Sequence, residues 1–336
     1  VSGLKVITTI VSKDQIAANA AVRDGLIEYD RRHGWRGAEK HIDLTQLDLS
    51  QQITELKNRP YIEQMPAALV LTTNNSSAEL LLSNGEIIKI GSAAAISTGK
   101  SLSSAIKAGD IVRLLGTGKT TVLAQIPKAQ AALVSLQPED GAVRAIVGGF
   151  SFSTSKFNRA SMAKRQPGSS FKPFLYTASF DRGYSPSSIV LDAPVVFRDR
   201  KGNVWRPQND RGGFKGPMKL REALVQSRNL VSVRLLDGIG VKYAINFISN
   251  FGFEKNSLPA NLSMSLGTAS LTPMSVARGY TVFSNGGFLI DPYFIQSIST
   301  SNGTVIAYTH PKRACKVCPE RLAGDVSKAV VVDGFD

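Results

Sequence analysis

A chain of 336 residues is long enough for two domains, and 43% apolar with 7% aromatic residues is ordinary for a globular protein and excludes a disordered one. Forty Lys and Arg against twenty-six Asp and Glu give a net charge of +14, which favours anionic partners. The basic residues are spread along the chain, without the clustering or zinc-finger spacing typical of a nucleic-acid footprint, so we expect no nucleic-acid partner.

The first thirty residues predict a strand followed by an amphipathic helix. The segment L-K-V-I-T-T-I-V is rich in β-branched residues, as strands are. Ser12 and Gln15 have the spacing of a capping box, and Val22, Leu26 and Tyr29 follow at helical spacing. The chain does not begin with Met and has no apolar run near the ~18 residues of a membrane-spanning helix, so we expect a piece of a longer protein.

Residues 31–130 predict a small all-β domain of the barrel or sandwich type. Short apolar runs at 67–71, 80–82 and 87–90 are separated by the turn-forming segments N-N-S-S, S-N-G and G-S.

Residues 131–336 predict an α+β domain with helices packed on an antiparallel sheet. The segments A-A-L-V-S-L and A-V-R-A-I-V-G-G read as two strands joined by the turn Q-P-E-D-G. Helical patterns follow at Leu220–Leu236, Val241–Phe251 and Pro273–Ser284. Strands followed by a block of helices are typical of this fold class.

The two cysteines, Cys315 and Cys318, favour a local disulfide and hence an oxidising compartment. No second Cys or His pair lies nearby to complete a four-ligand zinc site, and a redox Cys-x-x-Cys would be expected at the start of a helix.

The segment L-L-G-T-G-K-T-T looks like a phosphate-binding loop but fails the pattern. A phosphate loop requires glycine at the position of Arg113, and a helix rather than the β-branched T-T-V-L-A-Q-I-P after the motif. We interpret the segment as a hairpin turn and reject nucleotide binding.

The segment R-Q-P-G-S-S-F-K-P places two serines just ahead of a lysine. Ser169 and Lys172 are three residues apart, so a helix would put them on one face, with Ser170 rotated roughly 100° away. A helix N-terminus lowers the proton affinity of a nearby amine, and a neutral lysine can take a serine proton. Ser169 is therefore the candidate nucleophile; the alternative is a serine that only caps the helix.

A second motif follows at Ser227-Arg228-Asn229. A serine hydroxyl at this point can relay a proton to a leaving group, and Asn229 can hold a substrate amide. The alternative is again a polar helix end. In this order, S-x-x-K and S-x-N match the serine acyltransferases that react with β-lactams, whose third motif is K-[ST]-G.

Longer segments around these motifs narrow the family. They are S-K-F-N-R-A-S-M-A-K-R-Q-P-G-S-S-F-K-P-F-L-Y-T-A, W-R-P-Q-N, L-R-E-A-L-V-Q-S-R-N and S-L-G-T-A-S-L-T-P-M-S-V-A-R-G-Y-T-V-F-S-N-G-G. This set resembles the transpeptidase domain of class A, bifunctional penicillin-binding proteins. The resemblance implies a penicillin-binding transpeptidase or serine β-lactamase-like fold at 131–336, a linker strand and helix at 1–30, and the OB-like insert of the penicillin-binding protein 1a branch of Gram-negative bacteria at 31–130.

The resemblance also implies a chemistry that needs no metal or cofactor. Ser169 would attack the penultimate D-alanyl carbonyl of a peptidoglycan stem peptide, and the acyl group would pass to an amine of a neighbouring stem. Lys172 would be the base, Ser227 would help protonate the leaving amine, and Asn229 would hold the substrate amide. β-Lactam antibiotics would acylate the same serine.

The family further implies a periplasmic protein anchored to the inner membrane. In some members the insert meets an outer-membrane lipoprotein activator. The family's glycosyltransferase domain is absent from this chain. No K-[ST]-G follows Asn229, and the similar Gly118-Lys119-Thr120 lies upstream and in the wrong order. We therefore expect the protein to continue past Asp336, with the remaining C-terminal segment attached or present as a separate chain.

Three rival interpretations stay open from the sequence. A β-lactamase-like hydrolase or a penicillin sensor shares S-x-x-K. A non-catalytic cell-wall-binding module would use the same serines as helix caps, and a basic nucleic-acid binder would show a salt-dependent affinity for generic DNA.

Overall fold

The computed structural model describes residues 3–198, 202, 204–210, 212–315 and 331–332. The helices are α1 (Ser12–Arg32), α2 (Leu49–Lys57), α3 (Leu102–Ala105), α4 (Arg159–Met162), α5 (Lys172–Asp181), α6 (Leu220–Val225), α7 (Asn229–Ile239), α8 (Val241–Ile248) and α9 (Pro273–Asn285). The strands are β1 (Lys5–Thr8), β2 (Lys40–His41), β3 (Ala67–Thr73), β4 (Ser77–Leu82), β5 (Ile87–Gly91), β6 (Asp110–Leu115), β7 (Val122–Ala124), β8 (Leu133–Leu136), β9 (Val143–Val147), β10 (Ile189–Asp192), β11 (Phe197–Arg198), β12 (Val204–Trp205), β13 (Gly216–Lys219), β14 (Ile295–Ser299), β15 (Val305–Tyr308), β16 (Arg313–Ala314) and β17 (Val331–Val332).

The chain forms two compact units. The first unit comprises Val1–Gln15, Leu133–Ile146 and Arg159–Asp336, and the second comprises Ile16–Ala132 and Val147–Asn158. Among the described residues, no helix is both long and apolar enough to cross a bilayer.

The second unit is built on a six-stranded antiparallel sheet with the order β2-β6-β3-β4-β5, to which β7 adds by pairing with β6. Strand β3 is buried on both faces: Ala68 and Val70 join one apolar cluster, and Ala67 and Leu69 join the other. Burial on both faces explains why this strand reads as a continuous apolar run rather than an alternating one.

The strands predicted for this region are confirmed, but the all-β prediction missed helix α2. Asp48 and Gln51 close a capping box at its start, each side chain bonding the other's backbone N–H at 2.9 Å. Only Leu56 of the helix is buried, so its apolar periodicity is weak.

The hairpin interpretation of L-L-G-T-G-K-T-T is confirmed. Strands β6 and β7 pair antiparallel on either side of it, with Arg113 opposite Ala124. Arg113 is 1% exposed; its guanidinium bonds both carboxylate oxygens of Glu39 (2.8 and 3.1 Å) and the carbonyls of Pro60 and Met65. This arginine is therefore a structural ion-pair partner inside the sheet.

The first unit surrounds α5 with helices. Its core brings together the buried apolar residues Phe171, Phe174, Leu175, Ala178, Leu236, Ile239, Ala244, Ile248, Phe251, Phe253, Leu258, Met264, Ala269 and Leu271. Strands β8 and β9 form a two-stranded hairpin, and β1 pairs with β14, which pairs with β15. Helices and antiparallel strands occur together, as the α+β prediction requires.

Two local predictions in this unit are wrong. The helix predicted over Leu220–Leu236 is two helices, α6 and α7, separated by residues 226–228. Ser12 is the first residue of α1 rather than its cap, and the Gln15 side chain bonds the backbone N–H and C=O of Ile146 at 2.9 and 3.0 Å.

Cys315 takes part in a disulfide, as the local-disulfide interpretation expects. Cys318 lies outside the described residues.

We expect Glu39→Ala to lower the free energy of unfolding of the second unit by about 3 kcal/mol, because the buried guanidinium of Arg113 loses its counter-charge. Urea unfolding of the full chain measures this loss. Glu79→Ala is the control, since Glu79 is exposed on β4 and has no ion-pair partner in the described part of the chain; its effect should stay within about 0.5 kcal/mol. Equal losses for the two variants would contradict the structural role of Arg113.

Candidate functional site

The turn before α5 separates the roles of the two adjacent serines. Gly168, with φ of +59°, begins a single 3-10 turn over Gly168–Phe171. The Ser170 hydroxyl donates to the Pro167 carbonyl at 2.7 Å and so acts as a local cap. Ser169 is exposed, and within the described residues no hydrogen bond involves its hydroxyl. Ser169 is thus the serine of the pair whose hydroxyl has no hydrogen-bond partner in the described part of the chain.

A neighbouring loop fixes the position of this turn. The Gly168 N–H donates to the Gly267 carbonyl at 3.1 Å, and Arg165 and Leu271 exchange two backbone hydrogen bonds at 2.9 and 3.0 Å. Gly267 has a φ of +75°, and a Cβ at this position would lie 1.9 Å from the Gly168 carbonyl oxygen. Only glycine allows the two backbones to approach this closely.

The Lys172 amine is buried and fully hydrogen-bonded. Lys172 is 1% exposed and is the first residue of α5. Its Nζ donates to the Ser227 carbonyl at 2.7 Å, to the Ser227 hydroxyl at 2.9 Å and to Asn229 Oδ1 at 2.7 Å. An ammonium group has three N–H donors, so these acceptors replace its water shell.

Burial lowers the pKa of Lys172 from 10.5 to about 8. The Asp210 carboxylate opposes this change in pKa, and the Arg228 guanidinium adds to it. Because removal from water disfavours the charged amine, the neutral, proton-accepting form becomes accessible near neutral pH.

Ser227 has an unusual backbone conformation for a residue with a side chain. It follows α6 with a φ of +52°, its N–H bonds the Leu224 carbonyl at 3.0 Å, and the Arg228 N–H bonds the Ala223 carbonyl at 2.9 Å. This pair of bonds is a Schellman motif, in which glycine usually takes the left-handed position. The left-handed serine turns both its carbonyl and its hydroxyl towards Lys172.

The structure therefore brings together three of the four predicted residues. Lys172, Ser227 and Asn229 share hydrogen bonds, whereas Ser169 is tied to Lys172 only through the backbone, the Lys172 N–H donating to the Ser169 carbonyl. In the described part of the chain, no hydrogen bond joins the Ser169 hydroxyl to the Lys172 amine. The expected nucleophile–base hydrogen bond is not formed in this state.

Sequence reasoning missed the polar residues behind the S-x-N motif. Asp192 is fully buried and pairs with Arg228, with 2.6 Å between Nη2 and Oδ2. Asn209 donates to the same carboxylate at 2.9 Å and accepts from the Asn229 N–H at 2.9 Å. Asn209 and Arg228 are 17 and 36 residues from Asp192, so no local pattern links the three. The only signal was the presence of Asn209 in the quoted segment W-R-P-Q-N.

No group of three or more His, Cys, Asp or Glu side chains that could hold a metal ion occurs among the residues that the structure describes.

Two family descriptions match the chain. Residues 131–319 match the penicillin-binding protein transpeptidase domain. Residues 35–129 match the penicillin-binding protein OB-like domain.

The chain is also similar to individual proteins. Penicillin-binding protein 1A of Pseudomonas aeruginosa is 43% identical over 96% of this chain and 40% of its own length. Penicillin-binding protein 1A of Escherichia coli is 38% identical over 99% of this chain and 41% of its own length. The crystal structure of penicillin-binding protein 1A from Haemophilus influenzae superposes with a TM-score of 0.89 at 39% identity, covering 94% of this chain and 47% of that one. This chain spans about two fifths of the length of the curated relatives it matches.

We expect Lys172 to make stability depend on pH. Its pKa is about 8 in the folded state and near 10.5 when unfolded, so between these values the unfolded chain binds more protons and stability rises with pH. Urea unfolding at pH values from about 7.5 to 10.5, for wild type and Lys172→Met, isolates this contribution. The wild-type free energy of unfolding should rise relative to that of the variant, and a constant difference would contradict the lowered pKa.

We expect Gly267→Ala to destabilise the first unit more than Gly287→Ala does. Both glycines have positive φ values, +75° and +107°, but a Cβ at Gly287 would meet nothing within 4 Å. Both variants should lose about 1–2 kcal/mol of folding free energy to backbone strain. Gly267→Ala should lose about 1–3 kcal/mol more, because its Cβ clashes with Gly168. Equal losses in urea unfolding would show that the turn before Ser169 adapts freely.

Proposed function

Because the chain belongs to the penicillin-binding protein transpeptidase family, confirming the resemblance of its sequence, we propose that it carries the D,D-transpeptidase activity of a class A, penicillin-binding protein 1A-type enzyme. Its role is to cross-link peptidoglycan stem peptides through a serine acyl-enzyme. One observation carries the proposal: a buried lysine of lowered pKa, held by Ser227 and Asn229, follows an exposed serine by one turn.

In the first step Ser169 is the nucleophile and Lys172 the base. The lowered pKa of Lys172 makes the neutral, proton-accepting amine available near neutral pH. As Ser169 Oγ bonds the penultimate D-alanyl carbonyl carbon, its proton passes to Lys172 Nζ. The C–N bond then breaks, and terminal D-alanine leaves with a proton relayed from Lys172 through the Ser227 hydroxyl. The 2.9 Å contact between Lys172 Nζ and Ser227 Oγ supports this relay.

In the second step the amine of a neighbouring stem peptide attacks the ester carbonyl. A new amide bond forms, the bond to Ser169 Oγ breaks, and the proton lost by the amine returns to Ser169 through Lys172. The first N–H groups of a helical segment lack intrahelical partners, so the Ser169 N–H at the start of its turn can bind the oxyanion.

Asn229 would hold the substrate amide. Its Oδ1 accepts from Lys172, and its Nδ2 donates one hydrogen to the Gln208 carbonyl at 2.9 Å. A side-chain amide has a second N–H, which can reach a substrate carbonyl.

Among the described residues, no hydrogen bond joins the Ser169 hydroxyl to the Lys172 amine, which agrees with an enzyme that has not bound substrate. Catalytic hydrogen bonds are often loose before substrate arrives and tighten in the complex. The same exposed serine would be acylated by β-lactam antibiotics, whose strained amide takes the place of the D-alanyl-D-alanine bond.

We also propose the division of the chain and its partners. Residues 1–30 form a linker, 31–130 the OB-like insert and 131–336 the transpeptidase portion. In the described part of the chain, β8 pairs only with β9, which supports a remaining C-terminal segment that brings K-[ST]-G and the missing strands to this sheet. The full-length protein would be anchored to the inner membrane and face the periplasm, where the insert can meet an outer-membrane lipoprotein activator.

Incubation of the full-length protein with a penicillin should add one drug mass, because Ser169 forms a stable ester. Ser169→Ala should gain no mass. Ser170→Ala is the matched control and should be acylated like wild type, since its hydroxyl only caps Pro167. Intact-mass spectrometry measures all three.

Two outcomes of that measurement would contradict the proposal: an unmodified wild-type protein, which favours a non-catalytic wall-binding module, or a modified Ser169→Ala variant. Rapid release of hydrolysed drug from the wild type would instead favour the β-lactamase-like hydrolase.

A further inference from the structure

A buried ion pair lies directly behind the break between α6 and α7. Asp192 is 0% and Arg228 is 8% exposed, and both Nε and Nη2 of Arg228 approach the same carboxylate oxygen, at 2.8 and 2.6 Å. The Lys215 N–H adds a hydrogen bond to that oxygen at 3.0 Å. Asn209 bonds the other oxygen at 2.9 Å. The carboxylate is thus surrounded by donors, as a buried charge requires.

Asn209 connects this ion pair to the start of α7. Its Nδ2 donates to Asp192, while its Oδ1 accepts from the Asn229 N–H at 2.9 Å and from the Leu230 N–H at 3.3 Å. The residue that precedes α7 in the chain is Arg228, whose side chain makes no capping bond. Asn209 therefore caps α7 from a distant segment, and the position of Asn229 depends on it.

Arg228 connects the same ion pair to the end of α6. Its N–H closes the Schellman motif on Ala223, and its Nη2 also donates to the Gly213 carbonyl at 2.6 Å. The backbone N–H of Arg228 is thus bonded to α6, and its side chain is bonded to Asp192 and Gly213. Ser227, whose left-handed conformation is part of the same motif, is the residue directly before this anchor.

The left-handed conformation of Ser227 needs such an anchor. A residue with a Cβ pays about 1–2 kcal/mol for it, and here no glycine lowers that cost. Strained residues persist only where the surrounding structure over-determines them. A buried ion pair contributes little net stability compared with apolar residues, but two guanidinium nitrogens held at one carboxylate oxygen restrict the side chain to one arrangement.

We propose that Asp192, Asn209 and Arg228 are positioning residues of the transpeptidase site. They hold Ser227 in its left-handed turn and Asn229 at the first position of α7, so that all three acceptors of the Lys172 amine stay in place. None of the three touches the reacting atoms. The inference rests on the proposed function, because its readout is acylation of Ser169.

The test compares Arg228 with Arg234, because the side chains of both bond residues of the segment 192–194. Arg234 of α7 donates to the carbonyls of Ala193 and Pro194, the two residues after Asp192, at 3.3 and 3.1 Å. Arg228→Lys and Arg234→Lys both shorten an anchoring side chain and keep its charge. The measurements are the second-order rate of acylation of the full-length protein by a penicillin from about pH 6 to 10, and the thermal midpoint of each variant.

Arg228→Lys should slow acylation by about 100-fold at every pH, because a displacement of about 1 Å at a catalytic group has that effect. Arg234→Lys should lower the thermal midpoint comparably and change the acylation rate by less than about threefold. If Arg228→Lys does not fold, Asn209→Ala replaces it, with an expected loss of about tenfold.

Wild-type acylation rates for a folded Arg228→Lys variant, or equal losses for Arg228→Lys and Arg234→Lys, would overturn the positioning role alone. Failure of the wild type to be acylated would overturn the proposed function itself.

Discussion

The site depends on the solvation of one buried ammonium group. Lys172 places its amine where water does not reach, and an uncompensated charge in such a position is costly. Three protein oxygens, two from Ser227 and one from Asn229, take the place of water. Removal of the amine from water lowers the pKa of Lys172 to about 8, and the Asp210 carboxylate limits this fall.

This constraint explains the geometry around the amine. Helix α5 begins at Lys172 and α7 begins at Asn229, and the side chains of these two first residues are joined by a hydrogen bond. The break between α6 and α7 supplies an acceptor carbonyl that a continuous helix would have used internally. Ser227 supplies both this carbonyl and a hydroxyl to the Lys172 amine because it takes the left-handed position that glycine usually occupies. The close approach of Gly267 to Gly168 fixes the turn that carries Ser169.

Much of the fold could be predicted from the sequence, and Ser169, Lys172, Ser227 and Asn229 stay predictions for the site. Apolar runs located β3, β4 and β5, the β-branched flanks identified the β6–β7 hairpin, and spacing separated Ser169 from Ser170. The break at Ser227 was missed because apolar periodicity continues from Leu220 to Leu236 and a serine in a Schellman motif gives no glycine signal. Helix α2 was missed because it buries a single side chain. Asp192 and Asn209 were missed because their relation to Arg228 exists only in three dimensions.

A crystal structure of the full-length protein after reaction with a penicillin tests the roles of Ser169 and Lys172 most directly. We predict a covalent bond between Ser169 Oγ and the drug, with the Lys172 amine within hydrogen-bonding distance of that oxygen and still bonded to Ser227 and Asn229. A drug attached to any other residue, or a Ser227 turn that has left its left-handed conformation with Lys172 directed away from Ser169, would contradict these roles.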